Sequence, residues 1–227
     1  FFKPPELAAK ATCDAQRILG VDAAIMFADL LPILEPMGMK LDYIPGFGPN
    51  FENPVRTHAD IDNLSVQPAK ESMPYIHDVI KLIRAELPKD IPLIGFGGAP
   101  FTLASYAIEG KGSRNYVFVK QMMYGDTGAW HGLMEKITDT VIDYMNYQID
   151  SGVQAVQLFD SWVGTLSPSD YREYVMPHSQ RMMKEITGRV PVIHFGTGNP
   201  ALAPLMAEAG GDVLALDWRT PLLETWN

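Results

Sequence analysis

Five apolar runs in this sequence carry residues able to do chemistry at or near their ends. Ala23 to Ala28 closes on Asp29, and Ile91 to Phe96 closes on the Gly97-Gly98 pair. Ala155 to Phe159 closes on Asp160-Ser161, Val190 to Gly196 carries His194, and Val213 to Leu216 closes on Asp217. Asp29, Asp160, His194 and Asp217 are metal-ligand types, but no short spacing such as H-x-H or H-E-x-x-H joins them into a metal site. Ser161 and His194 could form a nucleophile and its base, yet the G-x-S-x-G elbow is missing. Residue types alone therefore lead to an α/β enzyme with carboxylates at its strand ends.

The elements that must position these residues follow from hydrophobic patterning. Each run is nearly continuously apolar, as expected for parallel strands buried on both faces. Amphipathic stretches lie between them. Glu71 to Leu87 places Ile76, Val79, Ile80 and Ile83 at a helical period, and Thr127 to Ile149 repeats Leu133, Ile137, Val141, Met145 and Ile149. Ser167-Pro168-Ser169-Asp170 reads as an N-cap opening a helix to Ile186, and Pro200 to Ala209 reads as another helix. Gly38 to Val66, rich in Gly, Pro and aromatics, reads as a hairpin or long loop inserted after the first strand.

Alternating strand and helix allows an open doubly wound sheet or a closed (β/α)8 TIM barrel. The nucleotide fingerprints of the first are absent: there is neither G-x-G-x-x-G nor G-x-x-x-x-G-K-[ST]. Polar residues do collect at the C-terminal strand ends, where a barrel builds its site. The barrel is therefore the expected fold, with one domain spanning residues 1–227.

Composition narrows the function. The 227 residues carry 18 Lys and Arg against 27 Asp and Glu, a formal charge of −9. This acidity disfavours nucleic acid and an anionic membrane surface as partners. No apolar run approaches the roughly 20 residues of a membrane helix, and no signal-peptide pattern opens the sequence. The single cysteine, Cys13, excludes an intrachain disulfide and any zinc site built on several thiolates. The lack of a disulfide scaffold suits a reducing compartment.

Three stretches then carry a resemblance. Val21-Asp22-Ala23-Ala24-Ile25-Met26-Phe27-Ala28-Asp29-Leu30-Leu31 is the first, and Pro92 through Gly110, containing Gly95-Phe96-Gly97-Gly98-Ala99-Pro100-Phe101-Thr102, is the second. The third is Gln157-Leu158-Phe159-Asp160-Ser161-Trp162-Val163-Gly164, followed later by Leu214-Ala215-Leu216-Asp217-Trp218. Together, and in this order, they resemble the uroporphyrinogen decarboxylase family along essentially the whole sequence.

The resemblance implies a cytoplasmic homodimer with a (β/α)8 barrel in each subunit. It implies that the substrate is uroporphyrinogen, that four acetate carboxyls leave as CO2, and that neither cofactor nor metal takes part. It assigns Asp29 as the carboxylate that accepts the pyrrole N–H bonds, Tyr106 as a substrate-contacting phenol, and Ser161 as a binder of a substrate carboxylate. On residue type alone, Asp29 and Ser161 read as loop caps and Tyr106 as core packing. Asp160 reads as a loop-ordering residue, and Asp217-Trp218 as rim packing. Gly97, Gly98 and Gly110 read as allowing tight turns and the approach of a flat ring. Phe96 and Phe159 read as apolar walls or core. Lys111, Arg114 and Lys120 read as a solvated face, and His58, His77, His131 and His178 as surface or satisfied histidines.

The family's basic motif would precede Phe1, and its late histidine would follow Asn227. The resemblance thus reads this sequence as the central part of a longer polypeptide, with about five of the eight strand–helix units. Two alternatives stand beside it. A corrinoid-dependent methyltransferase of the same barrel superfamily would hold zinc through a His-x-Cys pair, where this sequence has His194-Phe195-Gly196. A non-catalytic tetrapyrrole-binding remnant is the other.

Overall fold

The apolar runs pair side by side, as their continuous hydrophobicity demands. A computed structural model describes residues 3–186 and 188–226; Phe1 and Phe2 lie outside them. In chain order the strands are β1 (Ala24–Ile25), β2 (Leu41–Ile44), β3 (Gly48–Phe51), β4 (Leu93–Gly98), β5 (Ala155–Asp160), β6 (Val192–Gly196) and β7 (Val213–Leu216). Five of them form one parallel sheet in the order β1-β4-β5-β6-β7. Strands β2 and β3 form a separate antiparallel hairpin inserted after β1, as the glycine- and proline-rich segment suggested. Neighbouring strands in sequence order, joined by helical crossovers, are the arrangement of successive barrel units. Five such units are present, matching the number expected from the sequence.

The helices are α1 (Pro5–Leu19), α2 (His58–Asp62), α3 (Ala69–Ser72), α4 (Tyr75–Glu86), α5 (Pro100–Glu109), α6 (Val117–Gly125), α7 (Thr127–Ser151), α8 (Pro168–Asp170), α9 (Met176–Ile186), α10 (Ala203–Ala209) and α11 (Leu222–Trp226). The single helix expected over 71–87 is two pieces. Pro74 disfavours helical geometry at Met73, which sits at φ −134°, ψ 48°. Between α8 and α9 the chain widens into a π-turn at Tyr171–Val175, just before Pro177, which has no N–H to donate. Helix α5 left little periodic signal because it is buried on nearly every side.

Register sorts the sheet into two faces. Ile94, Phe96, Ala155, Gln157, Phe159, Ile193 and Phe195 share one, while Leu93, Val156, Leu158, Val192 and His194 share the other. The second face is covered by helices, and all five of those residues are fully buried. On the first face Phe96, Phe159 and Phe195 meet edge to face across three strands, with ring centroids 5.6 and 5.4 Å apart. Gly97 belongs to the helix-covered face. A Cβ there would meet Met145 Sδ of α7 at 2.9 Å, so this glycine admits a helix, not the flat ring expected from the sequence.

One side chain finishes what β1 leaves undone. Strand β1 pairs with β4 only at Ala24↔Leu93 and Ile25↔Ile94, and the last bond between them runs from Met26 N–H to the Ile94 carbonyl at 3.0 Å. The next β4 residue facing that side is Phe96. Its N–H donates to Gln148 Oε1 at 2.9 Å, and its carbonyl accepts from Gln148 Nε2 at 2.8 Å. Gln148 of α7 is fully buried and takes the place of a strand. Gly95 makes the room: a Cβ there would stand 2.4 Å from Gln148 Oε1.

Replacing Gln148 by Leu keeps the volume but strands two buried backbone groups. Each uncompensated group costs about 1–3 kcal/mol. Gln148→Leu is expected to lower unfolding stability by about 2–6 kcal/mol, read as a lower midpoint in denaturant. A midpoint equal to wild type would show that the amide pairing is not needed.

Candidate active site

Past Met26, β1 diverges from β4, and a cavity of about 290 Å³ opens at the fork. Ala28, Asp29, Leu30, Leu31, Pro49, Phe96 and Tyr106 line it. Each wall follows from a local feature of the chain. Asp29 ends the first apolar run, and its Oδ1 accepts the Leu31 N–H at 2.9 Å, which fixes the carboxylate at the turn. Pro49 comes from the hairpin, Phe96 from the sheet face, and Tyr106 from the last turn of α5. Gly110 ends α5 in the left-handed conformation at φ 79°, so the tight turn expected there is present.

The hairpin also brings in Tyr43, which sequence reasoning missed. Its phenol stands beside the Asp29 carboxylate, and burial followed by the Asp29 charge pushes its pKa up. Tyr106 is also raised, chiefly by burial and partly by Asp29. The Trp162 indole, close beside the phenol, acts in the opposite direction. The Tyr106 and Trp162 rings lie 5.8 Å apart, and Tyr116 flanks Trp162 at 6.1 Å. Among the described residues no ion pair involves Asp29. The carboxylate thus sits among phenols and a phenyl ring. Only alternation along the hairpin could have pointed to Tyr43, and that signal says nothing about which element the hairpin folds against.

Two of the three candidate residues, Asp29 and Tyr106, share this cavity. Ser161 does not line it. Ser161 follows β5 and is half-buried, and its carbonyl accepts the Thr197 hydroxyl at 2.7 Å. It precedes Trp162, which reaches Tyr106.

Other strand-end residues prove to have different surroundings from those expected. His194 was expected at the rim, but it lies inside β6 on the helix-covered face. It is fully buried, neither ring nitrogen has a hydrogen-bond partner among the described residues, and burial pushes its pKa down to about 4. Asp160 is the structural residue expected. It too is fully buried and accepts the Thr102 hydroxyl at 3.1 Å, and burial pushes its pKa up to about 7. Asp217 accepts the Gly198 and Arg219 N–H groups at 3.0 Å each, tying the loop after β6 to the end of β7. Trp218 does not pack at the rim. It is 85% exposed, with the Arg219 guanidinium over its ring at 4.6 Å.

The remaining histidines are partnered. His58 meets Asp126 at 2.8 Å, His77 meets Ser151 at 3.2 Å, and His131 meets His178 at 2.8 Å. His178 is buried, not superficial, and its pKa falls to about 4 through burial and then the neighbouring His131. Lys111 and Arg114 are exposed, as a solvated face requires. A larger cavity of about 530 Å³, lined by Arg56, His58, Phe118 and Asp126 among others, contains none of the candidate residues.

Comparison with known proteins decides the family. The family model described as "Uroporphyrinogen decarboxylase (URO-D)" matches residues 1–227. The chain belongs to the uroporphyrinogen decarboxylase family. A relative from Pelobacter propionicus named uroporphyrinogen decarboxylase is 50% identical over 226 residues, which are 99% of this chain and 66% of the relative. One of the same name from Carboxydothermus hydrogenoformans is 51% identical over 227 residues, 99% of this chain and 65% of its own length. The chain therefore spans just under two thirds of these curated relatives. A solved methyltransferase from Methanosarcina mazei has a TM-score of 0.79 at 19% identity, covering 93% of this chain and 62% of that one. At that identity the likeness establishes a shared fold and nothing about activity.

Within this family member, Asp160 gives a pH signature. Its carboxyl is held neutral by burial, so the fold binds a proton that the unfolded chain releases near pH 4. Its neutral form leaves stability intact below about pH 4, and stability is lost as pH rises toward the folded pKa of about 7. Asp160→Asn abolishes that loss. The stability of the variant relative to wild type is expected to rise between pH 5 and pH 8, measured by urea unfolding at each pH. A difference that stays flat across this range would contradict a raised pKa at Asp160.

Proposed function

We propose that the polypeptide carrying this chain is a cofactor-independent carboxy-lyase that converts uroporphyrinogen III to coproporphyrinogen III in tetrapyrrole biosynthesis. The observation that carries this reading is Asp29: a carboxylate fixed by the Leu31 N–H in a cavity with aromatic walls. Family membership supplies the substrate class.

The chemistry asks little of a protein beyond charge and position. Protonation of a pyrrole ring carbon makes the ring cationic. The bond from the acetate methylene to its carboxylate then breaks, its electron pair flows into the ring, and CO2 leaves. A proton added at the methylene gives a methyl group, and loss of the ring proton restores the pyrrole. Four such rounds consume four acetate carboxyls. A fixed anion beside the pyrrole N–H groups stabilises the cationic ring, and preorganised charge of this kind often accelerates a reaction more than any other single effect. Asp29 is that anion, held by the Leu31 N–H, with its other oxygen able to accept pyrrole donors. Tyr106 donates to a substrate carboxylate with its ring against the macrocycle, and Ser161 binds another carboxylate from the neighbouring loop. Phe96 and Phe159 form the apolar floor.

We extend the reading to residues 1–227 as part of one barrel domain, in a cytoplasmic homodimer that needs neither nucleic acid nor membrane. Among the described residues no helix is long and apolar enough to cross a membrane, which is compatible with that location. The methyltransferase alternative would recruit His194, whose ring is buried on the opposite face of the sheet from the phenylalanine floor.

The experiment is an assay of CO2 and four-carboxylate product on the native polypeptide. Asp29→Asn is expected to lower kcat at least about 100-fold, the scale of losing one preorganised electrostatic group, with an unchanged unfolding midpoint. A folded Asp29→Asn protein with near-normal turnover would overturn the assignment. Stoichiometric zinc in the purified protein would instead favour the methyltransferase.

A further inference from the structure

Between the buried Asp160 and the pocket tyrosine lies a continuous chain of contacts to which the decarboxylation chemistry assigns no role. Thr102 Oγ1 donates to Asp160 Oδ1 at 3.1 Å. The same oxygen accepts the backbone N–H of Trp162 at 3.3 Å. The Trp162 indole in turn packs against the Tyr106 ring, with centroids 5.8 Å apart. Thr102 and Tyr106 are four residues apart on α5, hence on one side of that helix. Tyr106 is therefore held twice: at its backbone by α5, and at its ring by an indole whose own backbone is tied to α5 through Thr102.

We propose that Thr102 is a positioning residue for the Asp29 pocket, its hydroxyl joining Asp160 to the Trp162 backbone so that the packed indole ring sets the Tyr106 ring in place. The proposal rests on the decarboxylase reading for its kinetic consequence, though not for its geometric one.

Stability alone does not account for this arrangement. Thr102 and Asp160 are both fully buried, and a buried carboxyl with a single hydroxyl partner is a costly way to fill space. An apolar pair of similar volume would pack as well and often better. The hydroxyl does something no methyl can: it accepts one hydrogen bond and donates another, joining the end of β5 to the loop that follows it. Tyr116 closes the far side of the Trp162 ring at 6.1 Å, so the ring is held between two tyrosines and a fixed backbone. A displacement of about 1 Å at a group that orients substrate can lower turnover on the order of 100-fold.

The test uses Thr102→Val, which keeps the shape and removes the hydroxyl, beside Thr102→Ser, which keeps the hydroxyl. Both are made in the native polypeptide. Thr102→Val is expected to lower kcat at least tenfold, while Thr102→Ser restores it to within about twofold of wild type. The second readout needs no substrate: hydrogen exchange of the Trp162 indole N–H in [15N]tryptophan-labelled protein, its signal assigned by its loss in Trp162→Phe. Exchange is expected to quicken several-fold in Thr102→Val and not in Thr102→Ser. Equal losses of kcat in both variants, or wild-type exchange in Thr102→Val, would overturn the proposal. If Thr102→Val does not fold, Trp162→Ala decides: it removes the ring that packs against Tyr106, and wild-type kcat in it would overturn the proposal. Wild-type protein that releases no CO2 would sink the decarboxylase reading instead, and the exchange rates would then decide the geometric claim by themselves.

Discussion

A single amide decides how the sheet opens. Gln148 reaches from α7 to the backbone of Phe96 and satisfies both of its polar groups at the point where β1 leaves β4. Without such a partner, a central strand stripped of its neighbour would carry an unpaired N–H and C=O into a dry interior. With it, β1 is free to diverge. The divergence is the pocket: Asp29 sits on the departing strand, Phe96 on the strand left behind, and Tyr106 on the next helix. The absence of a side chain at Gly95 is part of the same device, because any Cβ there would occupy the amide's place.

Two faces of one sheet give chemically similar residues opposite fates. Asp29 and Asp160 are both strand-end carboxylates. Asp29 opens on a cavity, where its carboxylate accepts the Leu31 N–H and stands beside the Tyr43 phenol. Asp160 points under the helices, loses its water, and has its pKa raised to about 7. His194 makes the same point for a base, with burial lowering its pKa to about 4. Residue type proposes a chemistry, but the side of the sheet decides whether solvent and substrate can reach it.

Much of the architecture was legible in the chain itself. The five apolar runs become the five parallel strands, and the glycine- and proline-rich insertion becomes the β2–β3 hairpin. Thr127 to Ile149 carried a clear helical period and becomes α7. Other features left weaker traces. Helix α5 is buried on nearly every side, so no polar face marks its period. The break between α3 and α4 is written in Pro74, yet the apolar spacing runs through it. Among the candidate site residues, Asp29 and Tyr106 meet as the motifs suggested, while Ser161 stays on its own loop and His194 turns away.

The sequence by itself determined the alternation of strands and helices, the family, and the candidate carboxylate, because these depend on local patterning and on residues adjacent in the chain. Tertiary structure alone decided which face His194 and Asp160 occupy, that Gly97 serves a helix, and that Tyr43 from an inserted hairpin meets Asp29. The physical reason is separation along the chain. Phe96 and Gln148 are 52 residues apart, and Thr102 and Asp160 are 58 apart. A period of two or of 3.6 residues describes only what lies within a strand or a turn of helix. Which distant amide replaces a missing strand, and which hydroxyl meets a buried carboxyl, is settled only when the elements pack and every buried polar group must find its partner.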